Sequence, residues 1–237
     1  VFGSNLAGRH GAGAAKFARE WRGAQPGVGE GITGCSYAIP TKDADLKTLP
    51  LDTIKQSVQR FIEYARQHES DIFQITRLGC GLAGLSDEQM APMFGDVPKN
   101  CALPGVWIAR WDPSLMRVII AGGRDYADAD TLRSILDRAY QKWKDKNLMV
   151  ITGGARGADT LAETWAVSKG IHTRRFEADW GRYGKLAGPF RNSAMAWFAN
   201  YLVAFPGHNG TQNMITIAKA GGLQTYVING TKAPGRP

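Results

Sequence analysis

Along the second half of the chain, short apolar runs alternate with stretches whose apolar residues recur every third or fourth position. The alternation predicts strands at Arg117–Ala121, Leu148–Thr152, His172–Glu177, Tyr201–Phe205 and Gln224–Ile228. The periodic stretches predict helices at about 128–146, 158–169, 189–199 and 210–221. Alternation of this kind builds a parallel sheet covered on both faces. Ligands of such sheets sit beyond the carboxyl ends of the strands, and each glycine cluster of this half falls at such an end.

The first half is less regular. Val1-Phe2 reads as the tail of a strand whose beginning, with an initiator methionine, precedes this numbering, and a glycine-rich turn leads from it into a helix from about Ala12 to Trp21. Asp52 heads a second helix, with Ile54, Val58, Phe61, Ile62 and Ala65 at helical spacing. A strand at Asp71–Leu78 then ends on Gly79-Cys80-Gly81. Pro104–Trp111 reads as a strand and Asp112-Pro113-Ser114 as a turn, and Met116, which has the place of an earlier initiator, opens the next strand. The expectation is an α/β protein of two domains, 1–115 and 116–237, fused with almost no linker and packed against each other.

Composition narrows the class. At 43% hydrophobic and 21% charged, the 237 residues suit a soluble globular protein and exclude a disordered or fibrous one. No apolar run approaches the roughly 20 residues that span a bilayer, and no charged-then-apolar leader opens the chain. Cys35, Cys80 and Cys101 form neither an even framework nor a metal spacing, which fits a reducing cytoplasm. His10, His68, His172 and His208 are scattered, so neither metal nor cofactor is expected. The formal charge of +8 suggests a nucleic-acid partner until it is resolved along the chain. Residues 1–115 carry 12 basic and 12 acidic residues, and residues 116–237 carry 17 and 9, so the whole excess lies in the second half.

Three strand ends of that half carry candidate chemistry: Gly122-Gly123-Arg124-Asp125, Gly153-Gly154-Ala155-Arg156-Gly157-Ala158-Asp159, and Pro206-Gly207-His208-Asn209-Gly210-Thr211. Paired glycines let backbone N–H groups approach an anion, and the helix N-terminus behind them adds a favourable dipole. Arg124 and Arg156 have the fork geometry that clamps phosphate, and Thr211 adds a hydroxyl at the start of the last helix. A glycine turn by itself is equally a folding device; three on one sheet edge favour a phosphate site.

MRVIIAGGRDYAD, VITGGARGADTLAETWA, ADWGRYGKLAGPFRNSAMA and FPGHNGTQNM together resemble the YspA-like branch of the SLOG superfamily. This Rossmann-like nucleotide-binding fold also occurs in cytokinin-activating phosphoribohydrolases and in the DNA-processing protein DprA. The resemblance covers 116–230. It implies that Gly122, Gly123, Arg124, Gly153, Gly154, Arg156, Asp159, Gly207, Gly210 and Thr211 line a nucleotide pocket, with Trp180, Arg191 and Asn192 near it. It also implies a homo-oligomer, since SLOG folds commonly dimerise. The phosphoribohydrolase relatives carry PGGxGTxxE, and Met214 stands at the Glu position. A thioether cannot stabilise an oxocarbenium-like transition state, so binding rather than hydrolysis is expected in this half.

In the first half, Gly3 to Ala15 is a strand end, a glycine-rich loop and a small-residue helix start, suited to close approach of a diphosphate at Gly11 and Gly13, with Asn5 placed to hydrogen-bond a ribose. Together with Tyr37-Ala38-Ile39-Pro40-Thr41-Lys42 and Arg77-Leu78-Gly79-Cys80-Gly81-Leu82-Ala83-Gly84-Leu85 it resembles a macrodomain, in the branch of the DarG antitoxin and the terminal ADP-ribose glycohydrolases. The resemblance covers about residues 2–94. It implies ADP-ribose binding, with Thr41 beside the catalytic Lys42, and with Gly79, Cys80, Gly81, Leu82 and Ala83 cradling the diphosphate and distal ribose. Ala83 stands where some members carry an Asp, which leaves the lysine-dependent route. Against it stands the reading of Lys42 as a solvated loop lysine beside Asp43 and Asp45.

Both halves thus point to one ligand class. The expectation is a protein that binds ADP-ribose or a derived signalling nucleotide and hydrolyses an ADP-ribosyl or N-glycosidic linkage, with an ADP-ribosylated macromolecule as a further partner and phage counter-defence as the setting. The alternatives are a non-catalytic sponge or sensor and, third, a single-stranded nucleic-acid binder.

Overall fold

The computed structural model describes residues 1–229; residues 230–237, which the expected second domain includes, lie outside the described residues. The chain forms two compact units, Val1–Trp107 and Ile108–Pro237. Each is described by itself.

Unit 1 contains β1 (Phe2–Asn5), α1 (Gly13–Trp21), β2 (Gly31–Thr33), β3 (Ser36–Lys42), α2 (Leu51–Gln67), β4 (Phe73–Gln74), α3 (Asp87–Met90), which runs on into a 3-10 turn at Ala91–Phe94, and β5 (Cys101–Ala102). A further helix, α4 (Gly105–Trp111), begins in unit 1 and contains the division between the units. β1 and β3 pair in parallel and β2 joins β3 antiparallel; β4 and β5 form a second parallel ladder. The two ladders are joined at Val1, whose amino group donates to the Gln74 carbonyl at 2.7 Å and whose carbonyl accepts from Thr76 N–H at 3.0 Å. That is parallel spacing. The strand order is therefore β2-β3-β1-β4-β5, and β3, β1 and the 73–76 segment end on one edge.

Alternation along the strands decides which helix covers which face. Tyr37, Ile39, Phe73, Ile75 and Leu78 join Ile54, Val58, Phe61 and Ile62 of α2, with Met90, Phe94 and Trp107, in one buried cluster. Each such large apolar side chain contributes roughly 1.5–3 kcal/mol by leaving water. The opposite face is small: Phe2 and Ala38 meet Ala15, Ala18 and Ala24, so α1 lies close to the sheet.

Two first-half expectations are corrected. Pro104–Trp111 is not a strand but the helix α4 at Gly105–Trp111, which opens with Trp107 N–H donating to the Pro104 carbonyl. Its short apolar run satisfied either period, and Pro, with φ already near the helical value, starts a helix well. The strand expected at Asp71–Leu78 is only Phe73–Gln74 as a ladder, although Ile75 and Thr76 N–H groups still donate to neighbouring strands.

Unit 2 contains β6 (Leu115–Ala121), α5 (Ala129–Trp143), β7 (Asn147–Thr152), α6 (Ala158–Ser168), β8 (His172–Arg175), α7 (Trp180–Tyr183), α8 (Ala187–Phe198), β9 (Tyr201–Ala204), α9 (Asn209–Ala220) and β10 (Gln224–Val227). All five strands are parallel, in the order β10-β9-β6-β7-β8. The chain starts in the middle, moves outward to β8, and returns across β6 to β9. This is the Rossmann-type mixed α/β winding that periodicity predicts, and the reversal falls between β6 and β9. Met116, Val118 and Ile120 pack under Leu132 and Leu136 of α5 and Ala162 and Trp165 of α6. Ile119, Ile151 and Leu202, in register on the other face, are fully buried on the side of α8 and α9. Among the described residues no helix is long and apolar enough to cross a membrane.

Candidate functional site

In unit 1 a cavity of about 600 Å³ opens at the shared carboxyl edge of β3, β1 and the 73–76 segment. Asn5, Gly11, Gly13, Thr41, Lys42, Gly79, Gly81, Leu82 and Ala83, dispersed in sequence, all line it. Cys80 does not: its thiol donates to Asp87 Oδ1 at 3.4 Å, and burial, with the Asp87 charge next, pushes its pKa up to about 12. Both effects disfavour the thiolate, the form in which cysteine acts as nucleophile or metal ligand.

The loop Gly79–Leu85 is shaped from below. Asp87 receives Arg77 through Nε at 2.6 Å and Nη2 at 2.7 Å, and the indole N–H of the fully buried Trp107 at 2.7 Å. Burial alone raises the Asp87 carboxyl, but the Arg77 and Trp107 hydrogen bonds outweigh it and hold it below the ordinary carboxylate range. This hub was missed in the sequence, because an Asp ten residues beyond an Arg has no helical or strand spacing to single it out. Leu85 N–H closes the loop onto the Gly79 carbonyl at 3.0 Å, and Thr48 Oγ1 ties it to the segment after β3 through the Ala83 carbonyl at 2.8 Å.

Lys42 ends β3, half-buried. Asp43, its acidic neighbour, is otherwise engaged: Oδ1 accepts the N–H groups of Asp45 and Lys47, both at 2.9 Å, and so closes the following loop. Among the described residues neither Lys42 nor Arg9, which also lines the cavity, has an ion-pair partner. Among the described residues no Asp or Glu lines the cavity. The start of α1 contributes Ala12, Gly13, Ala14 and Ala15 to its wall, with no side-chain cap and no acidic residue in the first turn. Its first N–H groups and the positive end of its dipole thus face a space bordered by two uncompensated cations. Asn5 is buried, and its amide brackets the backbone of Arg9, accepting its N–H at 3.0 Å and donating to its carbonyl at 2.9 Å. It shapes the loop that carries Arg9. The Thr41 hydroxyl donates to the Ser4 carbonyl at 3.3 Å.

The glycine loops of unit 2 meet at the reversal between β6 and β9. Gly123 N–H donates to the Pro206 carbonyl at 2.9 Å. A Cβ on Gly207 would stand 2.2 Å from Thr211 Oγ1 and 2.6 Å from the Gly123 nitrogen, and one on Gly122 would stand 2.6 Å from Ala158 Cβ. These glycines are required by backbone packing. After β7, Asp159 fills the turn from within: Oδ2 accepts Gly153 N–H at 2.9 Å and Ala155 N–H at 3.3 Å. Burial raises its carboxyl despite those two bonds. Gly154 lies under the Arg175 stem. Arg191 Nη1 donates to the Gly153 carbonyl at 2.6 Å, and Asn192 reaches Asn213 Oδ1 at 2.9 Å and the Gly210 carbonyl at 3.3 Å. Arg124 and Arg156 are exposed, with no ion-pair partner among the described residues. The open anion-seeking part is the start of α9, where a Cβ on Gly210 would meet nothing within 4 Å and no side chain caps the helix. Trp180 stands exposed at the head of α7, which the sequence periodicity does not predict.

Strand order, crossovers and glycine loops at the reversal make unit 2 a Rossmann-like α/β domain. Residues 116–183 match the YspA, cpYpsA-related SLOG family. The gene 61 protein of Mycobacterium phage D29 is 35% identical over 127 residues, covering 48% of this chain and 96% of that protein. The chain belongs, through its second unit, to the YspA, cpYpsA-related SLOG family. Among solved structures it is similar to DNA processing protein A (DprA) from Streptococcus pneumoniae, at 16% identity and a TM-score of 0.41 over 50% of this chain and 52% of that one. It is also similar to the structural-genomics target TM1055, at 19% and 0.38 over 47% and 72%. The chain thus spans about half the length of DprA.

Proposed function

We propose that this protein binds a nucleotide of the ADP-ribose type in the unit 1 cavity and hydrolyses its N-glycosidic or ADP-ribosyl linkage with Lys42. The observation that carries this reading is the wall of the cavity: an uncapped helix start and two unpaired cations, Arg9 and Lys42, with no carboxylate among the described lining residues. Such a wall attracts a diphosphate and repels nothing anionic. At about 600 Å³ the space falls within the usual range for a bound small molecule. The macrodomain resemblance of residues 2–94 supports the same ligand.

In the proposed reaction Lys42 is the group that touches the anomeric carbon or its leaving atom. As an amine it attacks that carbon; as an ammonium it stabilises charge on the departing group, and water completes the hydrolysis. The gene 61 relative from Mycobacterium phage D29 supports a phage setting for this chemistry. The absence of a carboxylate from the described wall also favours a second reading, a sponge that holds the nucleotide without cleaving it.

Calorimetric titration of ADP-ribose tests the site. Gly81 has no atom within 4 Å of where a Cβ would stand, so Gly81→Glu adds a carboxylate without disturbing packing. Wild-type binding lost in Gly81→Glu is the expected result, and equal or absent heat in both removes the reading. Incubation with ADP-ribosylated DNA and protein then separates enzyme from sponge. Wild type releases ADP-ribose and Lys42→Ala does not if the lysine reacts, whereas identical inactivity with retained binding leaves the sponge.

A further inference from the structure

Unit 2 carries the whole formal excess of positive charge, and one cluster within it has no part in the nucleotide reading. Arg117 of β6 is in register with Met149, and Arg174 of β8 with Ile151, two residues further along β7, so both arginines project from one sheet face. Both guanidiniums close on the ring of Phe198 at the end of α8, with Cζ 4.0 Å and 4.3 Å from its centroid. Arg174 also lies 5.0 Å from the Phe176 ring. Arg117 gives one donor to the Phe198 carbonyl at 3.3 Å.

What this cluster lacks is an acid. Among the described residues neither guanidinium has a carboxylate partner. Two like charges against one ring repel each other, and half-buried Arg117 registers it: burial first, and the Arg174 charge second, lower its pKa. Stacking uses the faces of the guanidiniums and leaves donors on their edges. Aromatic contact also fixes both planes in advance, which lowers the ordering cost of binding. An oxyanion held at the donor-bearing edges of this pair relieves the repulsion and satisfies free donors.

We propose that Arg117 and Arg174, stacked on Phe198, form a phosphate-binding site on unit 2 that is independent of the unit 1 cavity. The phosphate belongs either to a free nucleotide or to the backbone of a single-stranded nucleic acid, and the two sources share the same chemistry at the arginines.

The full chain, 15N-labelled at arginine, is titrated with inorganic phosphate while the side-chain Nε–H signals are followed. The Arg117 and Arg174 signals shift together and saturate, and Arg174→Gln weakens the apparent affinity about tenfold. Because Arg174 is exposed on an edge strand, that variant keeps its melting temperature. Arg182→Gln, an exposed arginine on α7, leaves the titration unchanged. Signals that stay fixed, or that drift without saturation equally in wild type and Arg174→Gln, overturn the site. A second arm follows the anisotropy of a fluorescent oligothymidine. Binding that phosphate competes away and Arg174→Gln loses upholds the site with a nucleic-acid backbone as the source. Saturable phosphate binding with no oligothymidine binding upholds it with a small phosphorylated ligand.

Discussion

The two units use the same local device, a glycine-rich turn between a strand and a helix, and at several positions the physical reason for the glycine differs. In unit 1, a Cβ at Gly11 or Gly81 would meet nothing within 4 Å, so no packing demand explains glycine there. In unit 2, Gly122, Gly123, Gly153 and Gly207 are each crowded within about 3 Å by backbone or side chain, and the turn after β7 already holds a carboxylate, Asp159. A glycine cluster is thus evidence for a ligand only after the fold's own need for it is subtracted. By that measure the glycine turns at Gly11 and Gly81 of unit 1 are the more open, although unit 2 is the one with the family match.

The largest test of that contrast is Gly207→Ala. Its Cβ would overlap Thr211 Oγ1 and the Gly123 backbone, and urea denaturation should show a loss of about 3 kcal/mol or more, or no soluble protein. A variant as stable as wild type would refute the packing account. Next is Asp87→Asn, which removes the charge that two Arg77 donors and the Trp107 indole share and should cost about 3 kcal/mol. Asp159→Asn keeps an acceptor oxygen and sheds a charge that burial disfavours, so it should change stability by less than about 1 kcal/mol.

The same two carboxylates should respond to acid with opposite signs. Asp87 is held below its unfolded pKa, so its contribution is present at neutral pH and is lost as pH falls through that depressed value. Asp159 is raised above its unfolded value, so its contribution is present in acid and lost as pH rises through the folded one. Amide protection factors, taken against the intrinsic exchange rate at each pH, should therefore fall in residues 77–87 on acidification, while residues 153–159 gain no such loss from Asp159. A parallel fall in both segments would blunt the comparison. The smallest effect belongs to Lys42→Ala, expected within about 0.5 kcal/mol of wild type in stability, because the side chain has no ion pair to lose among the described residues.

How much of this was legible in the sequence follows the strength of local periodicity. In unit 2, β6, β7 and β9 were readable as apolar runs such as Val118-Ile119-Ile120, whereas β8 (His172–Arg175) and β10 (Gln224–Val227) are largely polar and were placed by their alternation with periodic helices. β2, at Gly31–Thr33, is too short and polar to announce itself, and α4 deceived because seven residues fit two periods. For the cavity, the motif loops that line it, separated by long stretches of chain, were grouped in the sequence through the macrodomain resemblance. What could not be read was division of labour. The side chain of Asn5 holds Arg9, Cys80 serves Asp87, and Asp159 occupies its own turn, all through contacts made in loops, where spacing along the chain carries no helical or strand meaning.

The meeting of the β6 and β9 turns has a consequence for how unit 2 is made. It joins groups as far as 83 residues apart in the chain, as in the contact of His208 with Asp125. Closing so long a loop before any reward from the interlocked glycines is entropically slow. During synthesis the turn after β6 first meets the start of α6, where Ala158 N–H donates to the Gly123 carbonyl, and gains its second partner only when β9 has emerged, so the centre of the sheet, although first in sequence, waits for one of the last strands.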